Sequence, residues 1–178
     1  MKHDKIILLV GRSGSGKSTV ADILSRCYGR TILQSYTTRP RRFEQETGHL
    51  FVNNMFYDSV DKSQIVAYTY FDNNHYWATR EQVDENDIYI IDPDGVRYFR
   101  SHYFGKKRIV VIWLDCLRHV AEKRMLAQGR NPDDVLRRIR HDDPKYFTPA
   151  MAIPDDIIRT ENATPEEIAK QIEEVFES

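Results

Sequence analysis

The chain has 178 residues, 40% of them hydrophobic and 30% charged, enough to enclose one core and too few for two independent ones. Its 26 basic and 27 acidic residues leave a net charge of −1, which excludes capture of nucleic acid or an anionic membrane by bulk charge. Cys27 and Cys116 lie far apart without the paired spacing of a zinc or redox motif, so both read as reduced structural thiols.

From the N-terminus, Lys5 to Val10 is a continuous apolar run (IILLV), the pattern of a parallel strand buried on both faces. At about six residues it is too short for a secretion signal or a membrane span, and cytoplasmic residence is the expectation. A Gly-rich turn from Gly11 to Gly16 ends it, and Val20, Ile23 and Leu24 then recur at helical spacing from Lys17 to about Tyr28, with Gly29 as the stop. A short strand is expected near Thr31 to Ser35. Residues 36–82 turn polar, aromatic and irregular, an inserted binding segment with short strands such as His49 to Val52.

Asp87 to Ile91 and Arg108 to Leu114 are again buried strands, and helices are expected over Gly95 to Tyr103, Leu117 to Ala127 and Pro132 to Arg140. The stretch Asp142 to Asp155, with three prolines, reads as a flexible connection. A last strand near Asp156 to Arg159 precedes a helix from Thr164 to Phe176, which opens with a capping box between Thr164 and Glu167 and carries Pro165 at its first position. Strands alternating with helices imply one doubly wound α/β sheet covered on both faces.

Gly11-Arg-Ser-Gly-Ser-Gly16-Lys17-Ser18 matches G-x-x-x-x-G-K-[ST] between a strand and a helix, the context a phosphate loop requires. Its glycines let successive N–H groups face an anion at the positive end of the following helix. Candidate ATP contacts are Gly11, Ser13, Gly14, Ser15, Gly16, Lys17, Ser18 and Thr19. Lys17 reaches the β- and γ-phosphates and Ser18 holds Mg²⁺. Two arginines three apart, Arg39 and Arg42, can fork onto a phosphate dianion.

The stretch Ser35-Tyr-Thr-Thr-Arg39-Pro-Arg41-Arg42, followed by Gly48-His49-Leu-Phe-Val52, resembles the S-x-T-T-R-x-x-R…G…F-V pattern of the guanylate kinase family. The resemblance implies a three-layer P-loop kinase fold with a mainly parallel sheet, an acceptor-binding insertion at 36–82 and a helical lid at about 124–142. It implies a base contact from Ser35 and acceptor-phosphate contacts from Arg39 and Arg42. His75-Tyr76-Trp77-Ala78-Thr79 resembles the family's Tyr-Gly-(Thr/Ser) site, adding Tyr76 and Thr79. Asp92, ending a strand, resembles the Walker B position and joins Ser18 as a magnesium residue, with capping of the next helix as its competing role. Arg124, Arg130 and Arg137 resemble lid arginines, Arg138 competing with Arg137. Lys17, Arg39, Arg124 and Arg130 are the candidate catalytic cations.

The pattern departs from the family where specificity resides. Ala67 stands where the family has its guanine-reading acid, Gly48-His49-Leu50 shortens the usual Gly-x-Asp-Tyr, and Glu46 is the candidate replacement for a displaced acceptor-loop glutamate. The implied reaction is transfer from Mg-ATP to GMP, dGMP or a related nucleotide. Another deoxynucleotide, a ribose-phosphate acceptor and a noncatalytic binding module are the alternatives. The partners implied are ATP and a nucleoside monophosphate, with no nucleic acid and no membrane, and a monomer or homodimer.

Overall fold

The structure, a computed structural model, describes residues 4–42, 44–146 and 148–178. Its elements in chain order are β1 (Lys5–Val10), α1 (Lys17–Tyr28), β2 (Ser35–Thr37), β3 (His49–Phe51), α2 (Asn54–Ser59), β4 (Ile65–Phe71), β5 (Asn74–Thr79) and α3 (Arg80–Glu85). There follow β6 (Ile88–Ile90), α4 (Pro93–His102), β7 (Arg108–Asp115), α5 (Arg118–Ala127), α6 (Pro132–Lys145), β8 (Asp156–Arg159) and α7 (Pro165–Glu177).

The main sheet runs β6-β1-β7-β8, every pair parallel. All six residues of β1 are buried, because alternate side chains serve opposite layers. Ile6, Leu8 and Val10 pack with Val96 and Phe99 of α4, whereas Ile7 and Leu9 meet Val20 and Leu24 of α1 and Ile168 and Ile172 of α7. This is the three-layer α/β arrangement of P-loop kinases, and its central strand delivers the Gly-rich turn at its C-terminal end.

Residues 36–82 build a second sheet, ordered β3-β2-β5-β4, in which β2 pairs parallel with β3 and antiparallel with β5. Val66, Ala67 and Ala78 join the core beneath α4, so this sheet is anchored to the main one through shared apolar contacts. Among the described residues no helix is long and apolar enough to cross a membrane.

Several boundaries differ from the sequence-based expectation, α4 among them, which begins at Pro93 rather than Gly95. The strand expected at Thr31 to Ser35 reduces to one bridge between Ile32 and Ile88, and pairing resumes at Ser35 in the second sheet. The Thr31 side chain instead bonds the Asp87 carboxylate at 3.0 Å. Helix α6 does not stop at Arg140 but continues to Lys145 through Pro144, so the start of the expected flexible connection is helical. Further along it, Asp155 is tied to Val111 through both its N–H and its carboxylate. The strand expected to reach Val52 ends at Phe51.

Candidate active site

The turn after β1 is shaped by glycine where nothing else fits. Gly14 has φ +78°, and a Cβ there would stand 2.5 Å from the Ala121 carbonyl oxygen of α5. Gly16, at φ +97°, caps α1 without a side chain, leaving the first N–H groups of that helix turned toward the loop. Inside the turn the Lys17 ammonium donates to Gly11 O at 2.6 Å and Arg12 O at 2.9 Å. Burial pulls its pKa down to about 8, opposed by the charge of Asp142.

A cavity of about 420 Å³ opens between this loop and the second sheet. Gly11, Ser13 and Lys17 line one end, and Arg39, Arg42 and Tyr76 line the other. A continuous recess of about 490 Å³ takes in Ser18, Glu46 and the same two arginines. Lysine and arginine pair therefore face one shared space from two different elements.

At the arginine end Glu46 organises the loop. Arg39 donates to it through two nitrogens at 2.8 and 3.1 Å, and the Arg42 backbone N–H adds a bond at 2.7 Å. The Arg39 hydrogen bonds hold the Glu46 carboxyl at about 2. Ser35 Oγ lies 3.0 Å from His49 Nδ1, and the imidazole stands edge-on to the Tyr76 ring. Burial, aided by Arg39, lowers the His49 pKa and keeps the ring neutral near pH 7. Ala67 lies in the cavity wall, where it presents only a methyl group.

At the end of β6, Asp92 caps α4 by accepting from Gly95 N–H at 2.7 Å, so its competing role is realised in the fold. It also receives the Thr69 hydroxyl at 3.2 Å and lies 3.4 Å from Lys145 Nζ. Its carboxylate still borders the cavity.

Several sequence-predicted site residues fall elsewhere. Thr79 forms a capping box with Gln82 at the start of α3 and does not line the cavity. Thr19 lies exposed on α1, also outside the lining. Arg124 is bound to Thr160 O at 2.7 Å and Thr160 Oγ1 at 3.1 Å, which turns its guanidinium to β8 rather than to the cavity. Arg130 is exposed but close enough to lower the Lys17 pKa electrostatically. Arg137, paired with Asp134 at 2.6 Å, sits at the rim with its side chain 67% exposed. Arg138, 21% exposed, reaches both the cavity and the recess, and its charge is one cause of the lowered Arg42 pKa, after partial burial.

His141, Asp142, Lys145 and Tyr146 also line the cavity; none was singled out from sequence as a site residue, although the expected lid reached 142. Their signal was the helical spacing Val135, Arg138, Asp142, Tyr146, obscured by Pro144.

No family model matches the chain. It is 25% identical over 181 residues to a shikimate kinase of Moorella thermoacetica, across 97% of this chain and 94% of that one. Guanylate kinases of Buchnera aphidicola and Helicobacter pylori match at 23% over 150 residues and 25% over 149, each across 78% of this chain and 72% and 71% of their own lengths. The structure of a guanylate kinase from Anaplasma phagocytophilum superposes with a TM-score of 0.58 at 23% identity, covering 99% of this chain and 86% of that one. These likenesses support a guanylate kinase-like P-loop kinase reading of the chain. An uncharacterised protein from Eubacterium ventriosum shares the fold at a TM-score of 0.53 and 14% identity, across 98% of this chain and 99% of that one.

Proposed function

We propose that the chain transfers the γ-phosphoryl group of ATP to the phosphate of a nucleoside monophosphate, GMP, dGMP or a related nucleotide. The observation that carries this reading is the single cavity shared by Lys17 of the phosphate loop and the Arg39–Arg42–Tyr76 cluster. A donor chain held by the loop and an acceptor phosphate held by the arginines then meet in line, with positioning and charge neutralisation supplying most of the catalysis.

Mg²⁺ fits the residues present. It needs few protein ligands when phosphates and water supply the rest, and the exposed Ser18 hydroxyl and the cavity-lining Asp92 carboxylate are hard oxygen donors of that kind. Ser18 and Asp92 would hold it, and it supplies charge neutralisation on the phosphate oxygens. Lys17 and Arg138 then take up charge on the transferring group, Arg39 and Arg42 fix the acceptor, and the covering α6 excludes water.

The test is product formation from Mg-ATP and each common ribo- and deoxyribonucleoside monophosphate, with Lys17→Ala as the control. One preferred acceptor, silent in the control, supports the reading; turnover with none of them sinks it. A second reading keeps the donor and changes the acceptor to a phosphorylated sugar. Ala67 favours it, because the cavity wall there cannot accept from the N1 and N2 protons of guanine. One matched relative, spanning 97% of the chain, is named a shikimate kinase, so the matches include an acceptor that is not a nucleotide.

A further inference from the structure

The last turn of α6 already supplies the phosphate loop with an anion. Asp142 Oδ2 accepts the Ser13 N–H at 2.7 Å, and Asp142 is the leading charge holding the proton on Lys17. Three residues on, Lys145 Nζ lies 3.4 Å from Asp92 and 3.3 Å from Asp94. Between them Asp143 pairs with Arg12 at 3.4 Å and Arg118 at 3.1 Å, and Tyr146 O accepts from Arg12 at 3.4 Å. A carboxylate thus sits on a phosphate-cradle N–H while an ammonium sits beside Asp92, which borders the same cavity, and its neighbour Asp94.

We propose that residues 141–146 are an internal competitor, occupying the polyphosphate subsite in the ligand-free chain and displaced when a triphosphate binds. The proposal rests on the phosphate-loop reading. One N–H cannot donate fully to both the Asp142 carboxylate and a phosphate oxygen, and two anions at that spacing repel. The carboxylate is well shielded, its side chain 8% exposed, so it does not simply turn into solvent while the turn stays docked. Pro144 offers no N–H to the Arg140 carbonyl, so this turn is held less by its own helix than by the contacts just named. Release of Asp142 also withdraws Lys145 from Asp92 and Asp94, removing the cation beside Asp92 as the loop fills. Triphosphate binding and loss of the Lys145 contact to Asp92 become one event.

The test is calorimetric titration of the full chain with inorganic tripolyphosphate and with Mg-ATP, alongside hydrogen exchange at the Ser13 amide. In the wild type that amide is protected. In Asp142→Ala it exchanges faster without ligand, is protected again by tripolyphosphate, and both ligands bind about tenfold tighter or more. Asp142→Asn keeps the side-chain shape and removes the charge, so it tightens binding even if the alanine variant folds poorly. Lys145→Met loosens the Ser13 amide without touching it. Unchanged or weaker binding in both Asp142 variants overturns the proposal, as does absence of binding in every form. Tighter binding without any phosphorylated acceptor keeps the competitor and sinks only the kinase reading; product formation with unchanged affinity does the reverse.

Discussion

The Arg39 guanidinium and the Glu46 carboxylate meet as a two-point pair at 2.8 and 3.1 Å, with the Glu46 side chain 9% exposed. The pair fixes the orientation of Arg39 before any ligand arrives, and a third bond, donated by the Arg42 N–H to Glu46, fixes the loop that carries the second arginine. Arg42, half-exposed, is left with donors to spare for a phosphate.

Glu46→Gln is therefore expected to loosen both arginines, raising the acceptor KM about tenfold and costing about 3 kcal/mol of stability at neutral pH. The Glu46 carboxyl is pulled from 4.5 to about 2 in the fold, so its contribution is complete above pH about 4.5 and disappears as pH falls toward 2. Thermal unfolding of wild type and variant between pH 7 and 2.5 checks this. The two melting temperatures converge in acid, and a constant gap would contradict the pairing.

Lys17 gives the opposite pH behaviour. Its ammonium is buried with a pKa of about 8, whereas the unfolded chain keeps that proton up to about 10.5. Unfolding therefore takes up a proton between pH 8 and 10.5, and this group makes the free chain more stable as pH rises through that window. A bound polyphosphate favours the charged form, so binding takes up a proton near and above pH 8 and weakens about tenfold between pH 7.5 and 9.5. Calorimetry in buffers of different ionisation heat measures the uptake. Lys17→Met removes the uptake together with most of the affinity.

The frame of this site was legible in the sequence because it depends on local chemistry. The β1 run buried on both faces, the glycines of the loop and the Thr164–Glu167 box, realised by bonds of 2.8 and 3.2 Å, each follow from neighbouring residues. The α6 turn was not legible: a proline in a polar stretch ordinarily signals a break, and the contacts that hold Asp142 and Lys145 come from residues some 50 to 130 positions away. Arg137 and Arg138 illustrate the same limit. Adjacent helical residues point about 100° apart, and only the packing of α6 decides which enters the cavity.

Two loop glycines separate close approach from backbone strain. A Cβ on Gly14 meets the Ala121 carbonyl oxygen at 2.5 Å, whereas one on Gly16 meets nothing within 4 Å, and both have positive φ. Gly16→Ala is expected to cost about 1–2 kcal/mol from conformation alone. Gly14→Ala adds a backbone collision, so it costs more and pushes the loop off α5, weakening Mg-ATP binding at least about tenfold. Urea unfolding with parallel ATP titrations distinguishes the pair; equal losses would mean that the α5 contact is immaterial.

Far from the cavity, Arg30 and Glu173 form a buried pair that ties the end of α1 to α7. Arg30 Nε donates to Glu173 Oε2 at 2.8 Å, Nη2 bonds the other carboxylate oxygen, and the guanidinium lies 4.0 Å from the Phe176 ring centre. Arg30→Met leaves a buried carboxylate without its counter-charge, a loss of about 3 kcal/mol, or about 6 to 12 °C in Tm for a chain of this size. The double variant Arg30→Met with Glu173→Leu removes both charges and is expected to recover most of that loss, since an apolar pair of similar volume avoids the desolvation cost. Because Arg30 follows the opposite end of α1 from the phosphate loop, both variants retain Mg-ATP affinity within about twofold. Recovery of stability with affinity intact would identify the pair as a clamp between layers, whereas loss of affinity in the stable double variant would tie α7 to the nucleotide site.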